Sequence, residues 1–92
     1  MSEAEKIQAQ RQERQYMRIA SFRALIVRIH IDECNFKSAQ VELNRCYEDA
    51  MKSCQARLKW HSADRISGPA LKALGEYYTM SRMLEDAIAT YE

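Results

Sequence analysis

"DECNFKSAQ", residues 32–40, decides how this chain folds. Read as a break, it separates two helices that can turn back on one another. Read as continuous helix, it leaves one rod from residue 3 to about residue 60. Asp32 and Asn35 favour the break, because short polar side chains bond free backbone N–H groups and cap a following helix. Phe36, Leu43 and Tyr47 favour the rod, because they keep helical phase with Ile29. The break is the reading adopted, and the rod stands second.

The sequence is helical on both sides of this stretch. Between Met1 and Ser67 it contains neither glycine nor proline, the two residues that most oppose helix. The first helix is expected over about residues 3–31. Ile19, Phe22, Ile26 and Ile29 recur at steps of three and four, beside a stripe of Tyr16, Ala20, Val27 and Ile31. Together they predict one wide apolar face. Residues 1–15 are polar and are expected to extend into solvent or fray. The second helix, over about 36–59, aligns Phe36, Ala39, Leu43, Cys46, Ala50, Cys54 and Leu58.

"WHSADRIS", residues 60–67, is the expected loop. The third helix, over about 69–91, opens at Pro69, whose missing N–H needs no partner in the first turn. Its main stripe is Ala70, Leu74, Tyr77, Leu84, Ile88 and Tyr91, with Leu71, Tyr78, Met80, Met83 and Ala87 alongside. Gly75 lies mid-helix, at a cost of ~1 kcal/mol relative to alanine, and is read as a place for a close helix crossing. The fold expected is therefore all-α: three helices in an open bundle or hairpin with a projecting first helix, one domain over residues 1–92.

A chain of this length buries a modest core, so it calls for a partner or a homodimer. Its formal net charge is +1, which excludes a strongly basic nucleic-acid coat and an acidic DNA mimic. The charge is uneven: residues 1–30 carry a net of +3 and residues 61–92 a net of −2. No run is long and apolar enough for a membrane span, and no apolar stretch follows the first basic residues as a signal peptide requires. A cytoplasmic location is expected, with Cys34, Cys46 and Cys54 as reduced thiols.

Few residues suggest chemistry. His30 and Cys34 share a helical face, but neither CxxC nor HxxxH completes a zinc set with Cys46, Cys54 or His61. No oriented Cys–His pair, phosphate loop or paired carboxylate is present, so no enzyme, metal or cofactor is expected. Arg11, Arg14 and Arg18 fall on one face, in a row that runs on through Ser21 and Leu25 to Arg28. Such a row is a solvated face, a contact for an acidic protein surface or a phosphate contact. The near-neutral total charge argues against direct nucleic-acid binding. Trp60, Tyr77, Tyr78 and Met83 are the expected partner anchors, since a small bundle has too little interior for every aromatic and methionine. Gly68-Pro69 starts a helix. It is also the one bond in the chain with a low-energy isomer choice, which a host prolyl isomerase could handle.

In size, helical character and the lone "SGP" (Ser67, Gly68, Pro69) before its last helix, the chain resembles small phage accessory proteins, in particular the anti-RecBCD (Abc) proteins of lambdoid phages. The resemblance implies a phage-encoded inhibitor or modulator of the host RecBCD recombination nuclease, acting in the host bacterial cytoplasm. A helical chaperone or co-chaperone of a bacterial secretion system is the second expectation. A nucleic-acid-binding helical dimer using the arginine row is the third.

Overall fold

The break after Asp32 is made by the backbone. The computed structural model describes residues 2–61 and 68–91, in three helices: α1 (Glu3–Asp32), α2 (Phe36–Trp60) and α3 (Gly68–Tyr91). At the end of α1, the Asn35 N–H donates to the His30 carbonyl at 2.7 Å and the Cys34 N–H to the Ile31 carbonyl at 3.0 Å. Cys34 takes φ 57°. These two crossed bonds around one left-handed residue form a Schellman turn, which satisfies the last carbonyls of a helix while reversing the chain. Asn35 occupies the position before α2, but its side chain makes no capping bond, and Asp32 is the last residue of α1. The expected break is present, without the side-chain caps expected to cause it. At the other end of α1, Ser2 caps the helix: the Glu5 N–H donates to the Ser2 hydroxyl at 3.2 Å, and that hydroxyl donates to the Glu5 carboxylate at 3.0 Å.

The turn lays α2 antiparallel on α1. The seam on α1 is Ala20, Ala24 and Val27, with Met17 and Ile31 half-buried at its ends. On α2 it is Ala39, Leu43, Cys46, Ala50 and Ser53. Both sets advance by threes and fours, the 3.5-residue repeat that keeps two supercoiled helices in register. The small side chains bring the backbones close, and the Cys46 thiol reaches the Ala20 carbonyl at 3.6 Å. The expected α2 stripe stepped by fours from Ala50 to Cys54 and Leu58. The supercoil turns that line away from α1, leaving Leu58 exposed and burying Ser53 and Ala56.

On α1 the correction is larger. The wide apolar face divides in two. Ala20, Ala24 and Val27 face α2, while Ile19, Phe22, Leu25 and Ile29 are exposed. A helix can turn only one side to a single neighbour, and the alanine side allows the closer approach.

The polar start of α1 is helical and partly packed. Ala9 is buried. The Ser53 hydroxyl donates to the Glu13 carbonyl at 2.8 Å, and the Glu13 carboxylate accepts from Trp60 Nε1 at 3.0 Å and Arg57 Nη1 at 3.4 Å. Nearer the middle, Arg23 spans two α2 carboxylates, with Nη1 at 3.3 Å from Glu42 and Nε at 3.0 Å from Asp49.

The third helix closes the core with Ala70, Ala73, Tyr77, Met80 and Leu84. It packs mainly on α2 and meets α1 less extensively. The Tyr77 ring stands edge-on to Tyr47 at 5.5 Å. Gly75 is not at a close crossing, since a β-carbon there would meet nothing within 4 Å. The Gly68–Pro69 bond is trans. The expected loop over 60–67 lies outside the described residues from 62 onward. The molecule measures 53 × 20 × 14 Å. Its radius of gyration, 15.3 Å, exceeds the ~12 Å of a compact chain of this length, because the two longest helices lie side by side.

Candidate functional site

The arginine row of α1 borders the cleft between α1 and α3. Because α3 leans on α2, its contact with α1 is open at both ends. Near the start of α3 is a hollow of about 470 Å³, lined by Met17, Phe22, Leu25 and Pro69 together with Glu13, Arg14, Arg18, Ser21 and Ser53. Toward the far end is a second, of about 620 Å³, whose walls include Arg28, Ile31, Lys72, Glu76, Met80 and Met83. Ser21, Leu25 and Arg28, the continuation of the row, all line one or other hollow. Arg11, Arg14 and Arg18 form no ion pair within the described residues. The first hollow thus joins apolar side chains to two guanidinium groups that have no ion-pair partner among the described residues, beside a Glu13 carboxylate already tied to Arg57 and Trp60.

The sequence-predicted residues fall into separate environments. Arg14, Arg18 and Pro69 line the first hollow and Met83 the second. Arg11 is exposed about one helical turn before Arg14. Gly68 is exposed at the first position of α3. Trp60 is half-buried, tied to Glu13 and overlain by the Arg57 guanidinium at 5.3 Å. The tyrosine pair splits: Tyr77 is 1% exposed and belongs to the core, while Tyr78 is 64% exposed. An apolar helix position points inward or outward by rotation alone, and the sequence carries no mark of which. By spacing, Phe22 belongs to the expected apolar face and Leu25 to the arginine row, and nothing singles out Met17. The incomplete cover of α1 by α3 leaves all three lining the hollow.

Little here suggests reactivity. The Cys46 thiol is pushed up from its ordinary 9.0 to about 11, first by burial and then by Glu42 and Asp49. Burial also raises Cys54 and both Tyr47 and Tyr77. A thiol held protonated is a poor nucleophile. Cys34 is exposed, and all three cysteines are free. Among the described residues no three His, Cys, Asp or Glu side chains gather to hold a metal, and no helix is long and apolar enough to cross a membrane. The arrangement is a helical scaffold with a cleft lined by apolar and charged side chains. Comparison of the chain with protein-family models, with curated proteins and with solved structures finds no match in any of the three.

Proposed function

We propose that the protein is a non-enzymatic binding module that attaches stoichiometrically to a larger protein. One observation carries this reading: the hollow where Met17, Phe22, Leu25 and Pro69 meet Arg14 and Arg18, which have no ion-pair partner among the described residues. Apolar contact there would supply affinity, and the guanidinium groups would select an acidic segment and fix its register. The resemblance to the anti-RecBCD proteins of lambdoid phages supplies the first target to test, the host RecBCD nuclease. Under that reading Gly68-Pro69, exposed beside the same hollow, is also the place where a host prolyl isomerase would engage.

The test is degradation of linear duplex DNA by purified RecBCD, with this protein at one to several equivalents. Slower degradation is expected, with at least a tenfold loss of the effect in the Arg14→Glu/Arg18→Glu variant. Unchanged degradation together with no binding to the complex removes RecBCD as the target. Equal action by the double variant removes the hollow as the site.

A further inference from the structure

The outer side of α1 adjoins the cleft at Phe22 and has no occupant among the described residues. Gln12, Gln15, Ile19, Phe22, Ile26, Ile29 and Glu33 follow one another at alternating steps of three and four. This is a second 3.5-residue seam on a helix whose opposite side is already used by α2. Phe22 is 66% and Ile29 54% exposed, with Ile19 exposed beside them. A helix apolar on both sides is ordinarily covered on both.

We infer that this seam pairs with the same seam of a second copy, the two α1 helices running antiparallel about a two-fold axis near residue 24. Two observations select a second copy. The first is shape. Ile19, Phe22, Arg23 and Ile26, with Arg18 at their edge, line a hollow of about 430 Å³. They stand at i, i+3, i+4 and i+7, the four corners that receive one knob from a facing helix. Arg23 contributes its aliphatic stem, since its guanidinium is turned to Glu42 and Asp49. About that axis Ile26 of one copy enters the hollow of the other, and Ile19 faces Ile29.

The second is charge. Arg11, Arg14 and Arg18 precede the apolar steps, and Asp32 and Glu33 follow them. Neither acid has an ion-pair partner within the described residues. Antiparallel pairing sets Gln15 opposite Glu33, so Arg11 and Arg18, which flank the seam, lie within ~6 Å of Glu33 along the axis. Parallel pairing would set arginine against arginine.

Sedimentation equilibrium of the full chain at micromolar concentration tests the pairing. The expected species has twice the 10.8 kDa chain mass. Ile29→Glu is expected to weaken dimerisation by ~100-fold with helicity unchanged, because its side chain is largely exposed in the single chain. At low salt, Glu33→Arg is expected to weaken it roughly threefold, and adding Arg18→Glu to restore it. Parallel pairing predicts no effect from either swap, so an unmoved constant overturns the antiparallel geometry. A monomer throughout the concentration range overturns the dimer. A dimer that Ile29→Glu leaves intact overturns the seam. Phe22 belongs to both the seam and the cleft, but Ile29 lines neither hollow of the cleft, so the Ile29→Glu monomer is expected to keep its partner binding and the two readings fail separately.

Discussion

Cys34 is the residue on which the hairpin turns. It is the one non-glycine residue with positive φ among those described, at 57°. Left-handed backbone brings Cβ against the neighbouring carbonyl, a strain of roughly 1–2 kcal/mol that glycine escapes. The turn tolerates this because two backbone bonds depend on it. Cys34→Gly is therefore expected to stabilise the protein by about 1 kcal/mol, read as a higher urea midpoint at constant slope; a lower midpoint would mean the thiol makes a contact that outweighs the strain. Tyr77 shows a different residue-scale cost. Its hydroxyl is buried without a hydrogen-bond partner among the described residues. The sequence shows a tyrosine there but not the absence of a partner, because burial is a property of the packed molecule.

At the scale of the element, each helix was legible because its start and stop are local events. Pro69 falls in the first turn of α3, and nothing between residues 3 and 32 interrupts α1. The sides the helices bury were less legible. Ile19, Phe22, Ile26 and Ile29 have the same spacing as a core stripe, yet alanines take the inner side of α1. Gly75 has the smallness of a crossing point but borders the open cleft, where an added β-carbon would have no atom within 4 Å. Gly75→Ala is consequently expected to stabilise α3 by about 1 kcal/mol, measured by thermal unfolding followed by circular dichroism. Destabilisation would show that the glycine accommodates a close neighbour after all.

At the scale of the whole molecule, α1 and α2 are joined along a full supercoiled seam, with polar ties at Glu13 and Arg23. The third helix rests mainly on α2 alone. Local opening follows the amount of buried contact that must be broken. Native-state hydrogen exchange is therefore expected to show the central amides of α3 exchanging at least tenfold faster than those of residues 20–27 and 43–50. Uniform protection would mean that all three helices open as one unit.

The sequence by itself determined the class, the number of helices and their limits to within a residue or so, because propensity, proline placement and the lack of glycine act through near neighbours. It also displayed the arginine row and the outer seam as spacings. Only the tertiary structure decided that the alanines of α1 face inward and its large apolar residues outward. The same packing put Tyr77 in the core and Arg14, Arg18 and Pro69 around one hollow. The reason is physical: helical periodicity states which residues share a side, whereas the closeness of a neighbouring backbone, gained by small residues, chooses which side is buried.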